Sequence, residues 1–180
     1  DGGRELASSD RPAEVALEGV DFGYAHSPLF HHLELRIAPG EKVAVLGAMG
    51  SGKSSLLDLL FALREPSAGH VALDGLDYRD LSLESIREAV GLVRGIEVFA
   101  GTIRDNVRVG RRDIDEDALQ RALEAVGLAE EIRQLPLGLD TPLSTDGRPL
   151  SQVQLTRLMI ARAVLTRPRL LLLDRALEDL

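Results

Sequence analysis

The chain has 180 residues, 44% of them hydrophobic, enough to bury one core with at most a small appended subdomain. Its formal net charge of -8, with no Lys/Arg stripe, argues against nucleic acid as a partner. Cysteine is absent, which excludes a disulfide framework and thiolate metal sites, and no apolar run approaches the roughly 20 residues of a membrane span, so this segment is expected to be soluble.

Residues 1–13 are polar and contain Gly and Ser, which predicts a linker or disordered end, with one domain over 14–180. Alternating apolar positions, Val15, Leu17, Val20 and Phe22, then Leu33, Leu35 and Ile37, predict antiparallel strands. Pro39-Gly40 predicts a turn into a strand over 42–46, and the apolar run after Lys53 predicts a helix over 53–63 that stops before Pro66. His70 to Leu73 with Asp74-Gly75 reads as a strand and turn, and 82–90 as a short amphipathic helix. Asp115 predicts the cap of a helix whose apolar face is Leu119, Ala122, Leu123 and Val126, with Gly127 as its stop. Residues 151–165 predict another helix, closed by Arg167-Pro168, and Leu170 to Leu173 a buried strand ending at Asp174. Apolar strands flanked by helices point to an α/β core.

The chemistry starts at Gly47-Ala48-Met49-Gly50-Ser51-Gly52-Lys53-Ser54, which fits G-x-x-x-x-G-K-[ST] between a predicted strand and a predicted helix. Glycines omit the Cβ atoms that would keep backbone N–H groups from phosphate oxygens, and the helix start adds its positive dipole end. Lys53 suits the β- and γ-phosphates, and Ser54 suits Mg²⁺.

Taken in order, the motifs resemble the nucleotide-binding domain of ABC transporters, from Glu14 to Leu180. Tyr24, in Val20-Asp21-Phe22-Gly23-Tyr24, sits where that family stacks an aromatic on adenine. Gly69 to Gly75 looks like the family's next strand and turn. Phe99-Ala100-Gly101-Thr102-Ile103-Arg104-Asp105-Asn106 is similar to the segment after the glutamine loop of exporter-type members. Leu170 to Asp174 looks like the second nucleotide motif, whose Asp supports Mg²⁺. The resemblance implies a P-loop NTPase (RecA-like) core, an N-terminal antiparallel β subdomain and an inserted helical subdomain at about 100–155, with the family's last part, including its switch histidine, beyond Leu180. It implies ATP and Mg²⁺ as cofactors, nucleotide contacts from Tyr24, Gly47, Met49, Gly50, Ser51, Gly52, Lys53, Ser54 and Ser55, and metal contacts from Ser54 and Asp174. It also implies a transmembrane domain as partner, in the same polypeptide or complex. A second nucleotide-binding domain would sit head to tail, at the cytoplasmic face of the plasma (inner) membrane.

Three departures stand against that pattern. The glutamate that polarises the attacking water in the family is Arg175 here, and a guanidinium cannot act as a base near neutral pH. The signature LSGGQ is Leu150-Ser151-Gln152-Val153-Gln154, whose Gln152 and Val153 restore side chains that the glycines omit, while Ser151-x-x-Gln154 also forms a helix capping box. The glutamine loop, residues 92–99, has no glutamine and is one residue short, so that its position falls on Arg94 counting back from Gly101 or on Gly95 counting forward from Gly91. Ser144-Thr145-Asp146-Gly147 also stands where Gly-Glu-Arg-Gly is usual. No histidine of His26, His31, His32 and His70 shows metal-ligand spacing.

These losses predict a chain that binds ATP and hydrolyses it poorly or not at all, and so serves transport through nucleotide-dependent dimerisation. Arg94 and Arg175 either face the phosphates and partly replace Mg²⁺, or turn to solvent or to carboxylates such as Glu97 and Glu178. The alternatives are a soluble ABC-type switch protein, disfavoured by the acidic balance, and a small-molecule kinase, for which no acceptor-binding pattern is visible. Transported substrate, its direction and the choice between homodimer and heterodimer are not written in this segment.

Overall fold

The computed structural model describes residues 3–7, 9–25, 27–111 and 114–176. They form two compact units, one comprising Asp1–Gly91 with Pro168–Leu172 and the other Leu92–Arg167 with Leu173–Leu180.

The first unit is built on a four-stranded antiparallel sheet of β1 (Val15–Tyr24), β2 (Ser27–Ile37), β3 (Ala68–Leu73) and β4 (Leu76–Asp77), in the order β2-β1-β3-β4. In β1 the buried positions are Val15 and Leu17, then Val20 and Phe22, a change from odd to even. A register shift between Leu17 and Val20 supplies the extra residue, and this bulge keeps both halves of the strand's apolar set buried. Asp74 and Gly75 make the two-residue turn between β3 and β4, as the dipeptide predicts.

Helix α1 (Lys53–Leu60) buries Leu56, Leu59 and Leu60, and it ends three residues before the predicted Leu63. The N–H groups of Leu63 and Arg64 fold back onto the Asp58 carbonyl, and the Tyr78 hydroxyl donates to the Leu60 carbonyl at 2.9 Å. Leu60 O therefore has a partner without another helical turn. Ser82 caps α2 (Leu83–Ala89) through the Ser85 N–H.

The strand expected over 42–46 does not form. Residues 41–48 carry no regular structure, and Val43, Val45 and Leu46 remain 47%, 42% and 91% exposed. Among the described residues this segment pairs with no strand, and β-forming residues alone do not hold an extended backbone without a ladder partner. The Pro39-Gly40 turn is present, closed by the Glu41 N–H on the Ala38 carbonyl at 3.0 Å.

Strands β5 (Val90–Arg94) and β8 (Leu170–Asp174) pair with each other, and the division between the units passes through both. The second unit is mainly helical: α3 (Ile103–Arg108), α4 (Glu116–Ala125), α5 (Ala129–Arg133) and α6 (Gln152–Leu165), with a short antiparallel pair of β6 (Gly101–Thr102) and β7 (Pro142–Leu143). Asp115 caps α4 by accepting the Ala118 N–H, and the helix buries Leu119, Ala122 and Leu123, while Val126 and Gly127 fall just past its end. Helix α6 packs on α3 and α4 through Leu155, Leu158, Met159 and Ala161. Of the four leucines expected to form a buried strand, Leu172 is buried and its neighbours are half-buried.

Candidate functional site

The phosphate loop enters α1 through backbone that only glycine tolerates. Gly52, the residue before the helix, has φ +92°, and a Cβ there would lie 2.9 Å from the Leu29 and Phe30 side chains. A Cβ on Gly47 would lie 2.5 Å from Ser51 Oγ and 3.2 Å from its Cβ, so a larger residue there would push the Ser51 side chain aside. Lys53 turns its ammonium back into the loop and donates to the carbonyls of Gly47 at 2.6 Å and Ala48 at 2.9 Å. Two of its three protons are thereby engaged, and the charge is held at the rim of the loop. Met49, Gly50 and Ser51 are exposed, Ser54 is half-buried and Ser55 is buried.

Tyr24 lies in the same unit as the phosphate loop. Its hydroxyl is 3.0 Å from Ser55 Oγ, which ties the end of β1 to the first turn of α1. The ring meets Phe22 edge-on at 5.2 Å, and the Arg64 guanidinium lies 5.8 Å from its centroid. The ring is 46% exposed, so an adenine stacking on it would share it with Arg64.

The second unit holds the other predicted residues. Asp174 ends β8 at 8% exposure, and its Oδ2 accepts a hydrogen bond from Arg94 Nε at 2.7 Å. Of the readings of Arg94 made from the sequence, pairing with a carboxylate is the one found, with Asp174 as the partner in place of Glu97 or Glu178, because residues 80 apart meet only once β5 and β8 pair. Arg175 is exposed, with φ +59°, and Glu178 lies outside the described residues. Among the described residues no group of three or more His, Cys, Asp or Glu side chains is placed to hold a metal ion.

The signature segment forms the start of α6. Ser151 Oγ accepts the Gln154 N–H at 3.2 Å, and Gln154 Oε1 accepts the Ser151 N–H at 2.8 Å, a complete capping box. Gln154 Nε2 also donates to Glu131 at 2.6 Å, and Arg157 donates to the other oxygen of that carboxylate at 2.9 Å. Gln152 is exposed and Val153 half-buried at the front of the helix.

Sequence reading missed the organiser of the segment after β5. Asn106 is fully buried and binds both backbone groups of Phe99, donating to its carbonyl at 2.9 Å and accepting its N–H at 3.1 Å. Arg162 of α6 donates to the Asn106 carbonyl at 2.7 Å and the Glu97 carbonyl at 2.8 Å. Thr102 and Asp105 form a second capping box, at α3, and the Thr-x-x-Asp spacing was the available signal for it. His31 and His70 lie beside Asp21 and Glu18, His32 beside Glu34, and His26 falls outside the described residues.

Residues 30–178 match the protein family described as ABC transporter. The chain is 38% identical over 169 residues to an ATP-dependent lipid A-core flippase of Chromobacterium violaceum, covering 92% of this chain and 29% of that protein. It is 40% identical over 174 residues to ABC transporter B family member 29, chloroplastic, of Arabidopsis thaliana, covering 93% and 27%. A solved bacterial Atm1-family ABC exporter with ATP bound superposes with TM-score 0.87 at 32% identity, covering 98% of this chain and 31% of that one. The chain thus spans under a third of the length of these relatives.

Proposed function

The chain belongs to the ABC transporter family, with the ABC ATPase fold, and from that premise we propose that it is an ATP-holding domain of an exporter that cleaves nucleotide slowly or not at all. The observation that carries binding is the loop at 47–54, where Gly52 enters α1 at a φ of +92° that side chains rarely adopt and Lys53 is held at the rim. What removes cleavage is Arg175 in place of the general base. Loss of such a base lowers rates by about 10²- to 10⁴-fold, roughly 3–5 kcal/mol on the barrier. Bound ATP then acts through association: the phosphate loop of one nucleotide-binding domain meets the signature of another, head to tail. A transmembrane domain in the same polypeptide or complex receives that motion at the cytoplasmic face of the plasma membrane. The relatives named as flippase and exporter support this reading, and no observation favours a soluble switch or a kinase.

Equilibrium ATP binding and steady-state turnover test the proposal together. The chain is expected to bind ATP, to lose at least about tenfold in affinity in Lys53→Ala, and to turn over slowly beside its natural partner. Rapid turnover that Arg175→Ala leaves unchanged would overturn it.

A further inference from the structure

One aromatic ring of the first unit stays open to solvent beside the phosphate loop. Tyr24 is 46% exposed, and among the described residues of that unit no other Phe or Tyr is exposed. Its hydroxyl lies 3.0 Å from Ser55 Oγ, in the first turn of α1 and two residues after Lys53. The open ring is thus tied to the helix turn that follows the loop, among the groups that a nucleotide anchored at Lys53 can meet. Stacking on an aromatic ring accepts any base, because every base has a π face. Tyr24 alone therefore sets no preference among nucleotides.

What accompanies the ring is Arg64, whose guanidinium carbon lies over it, 5.8 Å from the centroid. The way α1 ends puts it there. After Leu60 the chain turns through Ala62 at φ +54°, and the N–H groups of Leu63 and Arg64 both return to the Asp58 carbonyl, at 2.8 Å and 3.3 Å. A further helical turn would have carried residue 64 along the helix axis instead. Among the described residues no carboxylate pairs with Arg64 and no acceptor takes its side-chain N–H groups. A cation over an aromatic face is favourable in itself, yet it leaves the donors of the guanidinium for a ligand.

Those donors are selective. A guanidinium is a planar fork of N–H groups with no acceptor. Guanine presents two acceptors, N7 and O6, on one edge, and the fork binds both at once; adenine places an amino donor beside its N7 and can satisfy only half of it. We propose that Arg64 is the base-selecting residue of the nucleotide site, so that this chain takes guanine nucleotides in preference to adenine nucleotides. The proposal rests on the reading that the loop at 47–54 holds a nucleoside triphosphate, and it adds to that reading the base that the site favours.

The test is calorimetric titration of the chain with ATP, GTP and inosine triphosphate, each with Mg²⁺. Wild type is expected to bind GTP more tightly than ATP, by about threefold or more. Inosine triphosphate, which has the N7 and O6 of guanine without its 2-amino group, is expected to follow GTP. Arg64→Met keeps an unbranched stem at the ring and removes the donors, and Arg64→Lys keeps the charge and removes the fork; in both the ratio of the two affinities is expected to fall to about one. A merely structural role of Arg64 would lower both affinities together and leave their ratio where it was. A wild type that binds ATP as tightly as GTP, or more tightly, overturns the inference while leaving nucleotide binding intact, and so does a preference for GTP that survives in either variant. Absence of binding for all three nucleotides, with Lys53→Ala indistinguishable from wild type, overturns the triphosphate reading itself and this inference with it.

Discussion

Single side chains here divide into those that hold the loop chemistry and those that hold the loops. Gly47, Gly52 and Lys53 were legible in the sequence because their spacing encodes a backbone shape. Asn106 was not legible as an organiser, since an asparagine shows its hydrogen bonds only when the chain has closed around it. Its side chain is fully buried and engages Phe99 twice, with Arg162 bonded to its own carbonyl. Burial lowers the Arg162 pKa from its ordinary value, but the group still donates as a cation at neutral pH. Asn106→Leu removes the side-chain partners of Phe99 and leaves its amide and carbonyl to find others. A loss of about 2 kcal/mol follows, or roughly 5 °C in Tm for a chain of this size. Calorimetry of the two chains checks it, and an unchanged Tm would mean that water replaces the side chain.

At the level of elements, the sequence located what local rules determine and failed where pairing decides. The caps at Ser82, Asp115 and Ser151 stand at the predicted helix starts, because a short polar side chain before an apolar periodicity has one favourable use. The strand expected over 42–46 has β-forming residues but pairs with no strand among the described residues, and its composition alone could not reveal that. The end of α1 was misplaced for a similar reason, since Tyr78, 18 residues on from Leu60, takes the carbonyl. The second capping box adds a pH dependence to α3. The Thr102 N–H, and after it the Thr102 hydroxyl, hold the Asp105 carboxyl below the usual carboxylate range. A carboxyl with a depressed folded pKa contributes stability above its unfolded pKa and loses it as the pH falls through the folded value. This cap is therefore intact at neutral pH and fades below about pH 4. Urea midpoints measured from pH 5 to pH 2 are expected to fall less steeply in Asp105→Asn than in wild type. Parallel slopes would show that the capping carboxylate does not contribute.

For the whole molecule, the proposed head-to-tail assembly makes a prediction that no single chain can satisfy alone. Each composite site draws its phosphate loop and its position 175 from one copy, and its signature from the other. Arg175→Glu repairs the base side of a site. Gln152→Gly with Val153→Gly repairs the signature side, at some loss to the first turn of α6, while Ser151 and Gln154 keep the capping box. Neither variant alone completes a site, because every dimer of it pairs one repaired element with one unrepaired element. Mixed in equal amounts, about half of the dimers contain both kinds of chain, and each of these has one fully repaired site and one fully unrepaired site. The mixture is therefore expected to hydrolyse ATP at about a quarter of the rate of a chain carrying all three substitutions, and well above the mean of the two variants measured separately. Taking the triply substituted chain as reference cancels any rate limit set by Arg94 or the shortened loop, since both are present in every preparation. A mixture no faster than its separate components would show that the signature acts on its own chain or not at all, and the head-to-tail arrangement would have to be abandoned for this protein.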